Sequence, residues 1–295
     1  MSVIPARGSF WHVIAQMIKE YSLATQSGQI AIVEYGNPAG VPVLCLHGWL
    51  DNSASFAPLG NSIRQLRLIC LDLAGHGHSY HRTYPHGYPT WDDTFDVLDV
   101  ADALALDTFH ILAHSRGAMI ASLLAATTDR VEKLALLDGF FFVASEDSDA
   151  AALMKKYIHR RRRPTRSNRA YASLEQMVEL RLSSHLTISY DAAKLLVSRG
   201  VAKTEAGYIW RSDVALRDAS AIHFNDAKIR SFVEEIACDV KFWTPQIFES
   251  AKPYVDLLLS NNPKASIEMW QGGHHFHMET NVPKLAKSIE RFILC

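Results

Sequence analysis

The stretch Ala113–Gly117, with the sequence A-H-S-R-G, decides the fold class of this 295-residue chain. A mostly apolar run, residues 109–112, precedes it, and a run of small and aliphatic residues, 118–124, follows it. A strand, a sharp turn and a helix in this order form a nucleophile elbow, which lifts a serine hydroxyl clear of a sheet. The turn is so tight that it needs small residues two positions before and two positions after the serine, and Ala113 and Gly117 meet this need. The pattern therefore predicts Ser115 as a nucleophile.

Two glycine-containing turns precede this stretch, each after an apolar run. The first, His47-Gly48-Trp49, follows the run 41–46. Such a turn leaves backbone N–H groups free to face a developing oxyanion, and the residue after a nucleophilic serine supplies another. We therefore expect the oxyanion donors to come from Gly48, Trp49 and Arg116.

The second turn, residues 72–79, contains His76 and His78. Two histidines could be ligands of a metal ion, but no carboxylate or cysteine is spaced suitably to complete the site. Gly75 and Gly77 permit a compact turn near the rim of the site. We interpret this segment as a structural turn.

A histidine-rich loop, Gly272–His277, lies between the last predicted strand and the last predicted helix. A loop at this place can bring a histidine over the serine, within the ~2.6–3.2 Å that a general base needs. We predict His274 as the base, with His275 and His277 as lesser candidates. The loop lacks the H-E-x-x-H arrangement of zinc helices, so no metal is expected.

Composition and charge narrow the class of protein. The chain is 48% hydrophobic and 21% charged, as soluble globular proteins are, and its net charge of -1 gives no case for nucleic acid as a partner. The basic run Arg160–Arg163 has no interleaved aromatic residues and is interpreted as a solvated helix face.

No signal peptide and no apolar run of the ~20 residues that span a bilayer are found, and the cysteines form no C-x-x-C pair. We expect a cytoplasmic protein, with a homo-oligomer left open.

Apolar runs that alternate with helical patterns predict an α/β protein with a mostly parallel, doubly wound sheet. The predicted strands span residues 30–35, 41–46, 66–73, 109–112, 131–137, 240–243 and 265–270, and the main helices outside the insert span 92–106 and 282–294. The alternation stops after residue 143, where the apolar spacing becomes helical. The predicted parts are an N-terminal helical extension (1–20), a core domain (21–143 and 236–295) and an inserted helical cap (144–235).

Four motifs in this order resemble those of the α/β-hydrolase superfamily and, within it, of the serine hydrolase-like group. They are H-G-W-L-D-N at 47–52, D-x-x-G-x-G-x-S at 72–79, H-S-R-G at 114–117 and G-H-H-x-H-x-E at 273–279. The resemblance covers nearly the whole chain and implies an α/β-hydrolase fold with Ser115 as nucleophile and His274 as base. Epoxide hydrolases and haloalkane dehalogenases instead use a carboxylate nucleophile, so serine at the elbow argues against their chemistry.

The acid that supports the histidine has two main candidates, ahead of other residues such as Asp256. Many relatives carry an aspartate just after the strand that corresponds to residues 240–243, but this chain reads T-P-Q-I-F-E there, and Glu249 is the acid that this segment offers. Asp138 ends the strand before the predicted cap, where some α/β-hydrolases place their acid. An aspartate at a strand's carboxyl end faces the catalytic edge of such a sheet. We take Asp138 first and keep Glu249 as the alternative.

Together these residues predict a serine hydrolase without metal or cofactor that works through an acyl-enzyme. Its expected partner is a small-molecule ester, thioester or lactone with a small to medium apolar acyl group. His47, His114 and Phe140 are predicted to line the substrate pocket. Two alternatives remain, which are hydrolysis of a carbon–carbon bond in a diketone and a catalytically weak protein that binds a ligand in its hydrolase fold.

Overall fold

A computed structural model of the chain describes residues 19–141, 144, 149–163, 167–184, 187–218 and 220–295. Most of the predicted N-terminal helical extension, residues 1–18, lies outside the described residues. The last two residues of that extension, Lys19 and Glu20, begin a strand instead. The extension is therefore predicted two residues too long at its C-terminal end.

The described residues contain ten strands. They are β1 (Lys19–Ala24), β2 (Gln29–Gly36), β3 (Val41–Leu46), β4 (Leu66–Leu71), β5 (Phe109–His114), β6 (Val131–Leu137), β7 (Val201–Thr204), β8 (Gly207–Trp210), β9 (Asp239–Thr244) and β10 (Ala265–Met269). Eight of them form one sheet in the order β1-β2-β4-β3-β5-β6-β9-β10, and β7 pairs with β8 in a separate hairpin. Strands β1 and β2 are antiparallel to their neighbours, whereas β4, β3, β5, β6, β9 and β10 are parallel. The predicted mostly parallel α/β sheet is confirmed.

Ten α-helices accompany the strands in the described part of the chain. They are α1 (Ala57–Gly60), α2 (Asp92–Ala103), α3 (Arg116–Thr127), α4 (Ala150–Arg161), α5 (Leu174–Leu182), α6 (Tyr190–Gly200), α7 (Asp226–Glu234), α8 (Lys252–Asn261), α9 (Phe276–Glu279) and α10 (Val282–Leu294). Short 3-10 helices span Ser53–Phe56 and Val214–Arg217. Among the described residues, no helix has the length and apolar character needed to cross a membrane.

The core lies on both faces of the sheet, because successive side chains of a strand point in opposite directions. In β3, Leu44 and Leu46 join the apolar cluster under α2, α3, α7 and α8. Val43 and Cys45, which alternate with them, join the cluster under α1 and α10. This two-sided burial explains why β3 reads as a continuous apolar run.

Parallel pairing brings the carboxyl ends of β3, β5 and β6 to one edge of the sheet. Cys45 of β3 lies opposite Leu112 of β5, and His114 of β5 lies opposite Leu137 of β6. The residues that follow these three strands are therefore neighbours. In an open α/β sheet this edge is where ligands bind.

The segment between β6 and β9, which we call the insertion (residues 144–235), contains α4 to α7 and the β7–β8 hairpin. Its helices α5 and α6 share a small apolar cluster with Met278 of α9. The hairpin is an addition to the predicted helical segment; its turn lies at residues 205–206, and β8 begins at Gly207, which has a φ of 120°. Helix α4 has no buried residue, and Arg160 and Arg161 at its end lie 3.5 and 3.7 Å from Asp218.

Candidate active site

The turn between β5 and α3 has the backbone geometry of a nucleophile elbow. Ser115 adopts a φ of 52° and a ψ of -114°, a conformation that L-residues rarely adopt and that functional sites often contain. Gly117 lies against β3, since a Cβ atom there would be only 2.1 Å from the carbonyl oxygen of Leu46. The sequence predicts the turn and a small residue at position 117, and the structure shows that only glycine fits there.

Three predicted side chains meet at the catalytic edge of the sheet. The Oγ atom of Ser115 lies 3.0 Å from Nε2 of His274, and Nδ1 of the same ring lies 2.7 Å from Oδ2 of Asp138. A carboxylate only accepts hydrogen bonds, so Nδ1 carries a hydrogen and Nε2 of the neutral ring is free to accept the serine proton. Ser115 and His274 are partly exposed, whereas Asp138 is buried. The Ser115 hydroxyl and the His274 ring are therefore accessible from solvent, while the Asp138 carboxylate is largely shielded from it.

Two neighbouring strands hold Asp138 in place. It follows β6 directly with a φ of 43°, and its amide donates to the carbonyl oxygen of Trp243 in β9 at 2.9 Å. The hydroxyl of Thr244, at the end of β9, lies 2.6 Å from Oδ1 of Asp138. Thr244 therefore ends β9, the strand after which many relatives carry an aspartate. In this chain its hydroxyl contacts Asp138, which follows β6.

The second acid candidate lies elsewhere. Glu249 is exposed in the segment between β9 and α8, and the Nδ1 atom of His274 is already bonded to Asp138. Of the two carboxylates that sequence analysis proposes, the structure places only Asp138 within hydrogen-bond distance of the histidine.

The predicted oxyanion donors lie on the turns after β3 and β5. The carbonyl group of Gly48 accepts from Nδ1 of His47 at 2.7 Å and from the amide of Asp51 at 3.2 Å. Because C=O and N–H point in opposite directions in a trans peptide, these bonds turn the amide of Trp49 away from Asp51. Within the described ranges, the amides of Trp49 and Arg116 have no hydrogen-bond acceptor. Both are free to donate to a ligand.

The predicted pocket residues are buried rather than exposed to a cleft. His47 and His114 have no exposed surface, and Phe140 is 2% exposed in the apolar core. His47 accepts from the amide of Leu73 at 3.0 Å while it donates to Gly48, so both of its ring nitrogens are used inside the protein. His76 likewise accepts from the amide of Leu50 at 3.2 Å, which agrees with a structural role for its turn.

A cluster of buried polar side chains lies beneath His274. The Nε2 atom of His114 donates to the backbone carbonyl of His274 at 2.9 Å, and its Nδ1 atom lies 3.6 Å from Oδ2 of Asp51. His275 approaches the same carboxylate oxygen at 3.3 Å, and His277 is bonded to Ser55 at 2.8 Å. Burial lowers the pKa of His114 to about 4. It also lowers the pKa of His277 well below the ordinary value, and nearby histidines add to this effect.

Asp51 also contacts the insertion. Its carboxylate forms an ion pair with Arg181 of α5, and both side chains are largely buried. Burial alone would raise the pKa of Asp51, but Arg181 and then His275 hold it well below its ordinary value. Sequence analysis assigns no role to Asp51 or Arg181, and no local pattern links them, because they lie 130 residues apart.

The buried histidines predict a stability that depends on pH. His114 titrates at 6.5 when unfolded and at about 4 when folded, so below pH 6.5 the unfolded chain binds a proton that the folded chain does not. We expect its contribution to the free energy of unfolding to fall by on the order of 3 kcal/mol between pH 7 and pH 4. Urea unfolding at several pH values measures this fall. A His114→Gln variant, whose side-chain amide nitrogen can take the place of Nε2 and donate to the His274 carbonyl, should show a smaller fall. An equal fall in both proteins would contradict the assignment.

Comparisons with known proteins identify the fold family. A family model for the alpha/beta hydrolase fold matches residues 41–217. Serine hydrolase-like protein 2 of Homo sapiens is 33% identical over 212 residues, which span 68% of this chain and 66% of that protein. The serine hydrolase-like protein of Danio rerio is 26% identical over 305 residues, which span 97% of this chain and 93% of that protein.

Solved structures extend the likeness to the whole fold. The crystal structure of a hypothetical protein from Pseudomonas aeruginosa PAO1 is 34% identical, with a TM-score of 0.84 over 94% of this chain and 99% of that one. The thioesterase domain from the curacin biosynthetic pathway, at 19% identity, has a TM-score of 0.76 over 94% of this chain and 99% of that domain, which shows a shared fold alone. The chain belongs to the α/β hydrolase fold family, in the group of serine hydrolase-like proteins.

Proposed function

We propose that this hydrolase cleaves a carboxylic ester, thioester or lactone through an acyl-enzyme formed on Ser115. One observation carries the proposal. The Oγ atom of Ser115 lies on a sharp, partly exposed turn, 3.0 Å from a histidine nitrogen whose opposite nitrogen is bonded to a buried carboxylate at 2.7 Å. Geometry of this kind lets a neutral imidazole take the serine proton while the carboxylate stabilises the imidazolium.

In the first half of the reaction, Oγ of Ser115 attacks the substrate carbonyl carbon as Nε2 of His274 takes the hydroxyl proton. The amides of Trp49 and Arg116 donate to the carbonyl oxygen, which gains negative charge. One such donor typically contributes ~2.7–4 kcal/mol to transition-state stabilisation. The protonated His274 then gives its proton to the leaving alcohol or thiol, and the acyl group remains on Ser115.

In the second half, a water molecule replaces the leaving group. His274 takes a proton from the water as its oxygen attacks the acyl carbon, and the same two amides hold the second oxyanion. Collapse of this intermediate releases the carboxylic acid and returns the proton to Ser115. Asp138 stays ionised throughout and fixes which nitrogen of His274 carries the hydrogen.

The insertion supports the choice of substrate class. It contacts the turn His47–Trp49, which we call the oxyanion turn, since the indole N–H of Trp49 donates to the carbonyl oxygen of Leu216 at 2.9 Å. Trp49 nevertheless remains 47% exposed, so an apolar surface lies beside the proposed oxyanion donors. We propose that the insertion acts as a cap and that this surface receives a small to medium apolar acyl group.

A fluorophosphonate probe tests the nucleophile, because it reacts with activated serine hydroxyls. We expect the wild-type protein to be labelled once, with the adduct on Ser115, and p-nitrophenyl esters of short acyl groups to compete with the label. The Ser115→Ala variant should show no labelling and should lose ester hydrolysis by about 10⁴- to 10⁶-fold. Labelling of that variant at the wild-type rate would contradict the proposal.

The same preparation separates the alternatives. A carbon–carbon bond hydrolase would turn over a ring-cleavage diketone much faster than p-nitrophenyl esters. A ligand-binding protein would bind either compound without turnover, and a His274→Gln variant would bind as the wild type does. Rapid ester turnover that depends on both Ser115 and His274 supports the esterase.

A further inference from the structure

We propose that Arg181, on α5 of the insertion, is a positioning residue for the catalytic histidine, and that it acts through a buried ion pair with Asp51. This inference rests on the proposed function, because it concerns the base of that reaction. Arg181 acts indirectly, since its effect passes through Asp51 to the segment 272–279, which we call the base loop.

The side chain of Asp51 links the core to α5 of the insertion. It follows the oxyanion turn by two residues, and its Oδ1 atom accepts from Arg181. Its Oδ2 atom accepts from Nε2 of His275, the residue next to the base, at 3.3 Å. The guanidinium group of Arg181 is itself 3.4 Å from that nitrogen of His275. A single carboxylate therefore connects the oxyanion turn, the base loop and α5.

His114 completes this connection from the nucleophile strand. It precedes Ser115, donates to the carbonyl oxygen of His274 at 2.9 Å, and places its other nitrogen 3.6 Å from Oδ2 of Asp51. Its ring centroid lies 4.6 Å from that of His274. The backbone of the base is thus held by a side chain that packs on the same ion pair.

The base loop has two more contacts with the insertion. Met278 joins the apolar cluster of α5 and α6, and Glu279 accepts from the amide of Ser189, the N-cap residue of α6, at 2.5 Å. Insertion residues therefore hold the loop at His275 and at two positions after it, Met278 and Glu279. Loss of the contact at Arg181 would remove the guanidinium group that balances the Asp51 carboxylate beneath this loop.

The charges in the cluster favour an ion pair over a metal site. Asp51, His114 and His275 offer ligand atoms within 4.8 Å of one another, a spacing that could hold a cation. Arg181 already supplies a positive charge to the Asp51 carboxylate, and a divalent ion would leave excess positive charge in a buried place. The arrangement is therefore better suited to positioning than to metal binding.

The first experiment measures the second-order rate of Ser115 labelling by the fluorophosphonate in Arg181→Met. We expect this rate to fall by about 10- to 100-fold, because a displacement of about 1 Å at a reacting group can cost 10²-fold. Arg181→Lys keeps the charge and should recover most of the rate. Asp51→Asn should lower the rate in the same way as Arg181→Met.

Arg199 provides a matched control from the same insertion. It lies on α6 and forms an equally buried ion pair with Asp72, whose other partners are the amides of Ser53 and His78 rather than the base loop. Arg199→Met therefore breaks a comparable buried contact between insertion and core, and it also removes the ion pair of Arg199 with Glu20 at 2.7 Å. We expect its labelling rate to stay within about threefold of wild type, even if both variants lower the melting temperature equally.

The pH profile supplies a readout that a purely structural role would not move. Around His274 lie His114, His275, Asp138, Asp51 and, through Asp51, Arg181. Arg181→Met leaves the Asp51 charge unbalanced, which favours the protonated base and should move the acid limb of the labelling rate to higher pH by about half a unit or more. Asp51→Asn leaves the charge of Arg181 unbalanced and should move the acid limb to lower pH. The double variant should return the acid limb towards its wild-type position.

The outcomes separate this proposal from the proposed function. If wild-type protein is not labelled at all, the proposed function fails. If wild-type protein is labelled and Arg181→Met and Arg199→Met react equally fast, or if the acid limb does not move in opposite directions, the positioning role is overturned while the esterase stands.

Discussion

Asp138→Asn should lower kcat/KM for p-nitrophenyl ester hydrolysis by about 10⁴-fold. Asparagine is close in shape to aspartate and tolerates the positive φ of 43° at this position, so the variant should fold. Its amide NH₂, however, can face Nδ1 of His274 and favour the tautomer whose Nε2 carries the hydrogen. That tautomer cannot accept the serine proton, and an amide cannot balance the charge of an imidazolium.

The matched control is Glu249→Gln, which changes the other candidate acid. Glu249 is exposed and outside hydrogen-bond distance of His274, so this variant should keep its kcat/KM within about twofold of wild type. Far-ultraviolet circular dichroism and urea unfolding show whether both variants are folded. A large loss in Glu249→Gln with near-normal activity in Asp138→Asn would reverse the assignment of the acid.

Gly117→Ala should lower the free energy of unfolding by about 3 kcal/mol or more. The added Cβ atom would lie 2.1 Å from the carbonyl oxygen of Leu46 and 2.8 Å from that of His47. These are backbone atoms at the end of a central strand, and they cannot move aside as a flexible side chain can. Relief requires α3 to shift away from β3, which also displaces Ser115.

Gly273→Ala is the control for this change, since it adds the same methyl group beside the proposed base. The nearest neighbour of a Cβ atom at position 273 would be Oγ1 of Thr187 at 3.7 Å, an ordinary contact distance. Its free energy of unfolding should stay within about 0.5 kcal/mol of wild type. Urea unfolding of both variants measures the difference, and a Gly117→Ala protein as stable as Gly273→Ala would show that the elbow is looser than these distances indicate.

Local patterns in the sequence predict the centre of the fold well. The apolar run 41–46 coincides with β3, and the predicted strand 131–137, whose last four residues are apolar and buried, coincides with β6. Central parallel strands are buried on both faces and therefore favour such runs. Strand β1 is missed for the opposite reason. It lies at the edge of the sheet, pairs on one side only, and is largely exposed, so its residues carry a weak apolar signal.

The residues of the candidate site also differ in how strong a local signal the sequence carries for them. Ser115 and His274 can be proposed from sequence because an elbow and a glycine-led histidine loop are local features. The choice between Asp138 and Glu249 depends on where β6 lies beside β9, and that pairing has no local signal. The contact between Asp51 and Arg181 is harder still, since it joins residues 130 positions apart in two different parts of the molecule.

The positions of Ser115 and Asp138 after adjacent strands determine how the site would lose its activity. The proposed nucleophile and acid follow β5 and β6, which are adjacent in the sheet, with His114 opposite Leu137. Their separation is fixed by hydrogen bonds in the centre of the core, whereas the base comes from the segment between β10 and α10, which lies outside the sheet. Segments of this kind open with a smaller free energy than central strands do. The enzyme could therefore be switched off and on reversibly by a local opening of the base loop, while the sheet that aligns the other two residues remains folded.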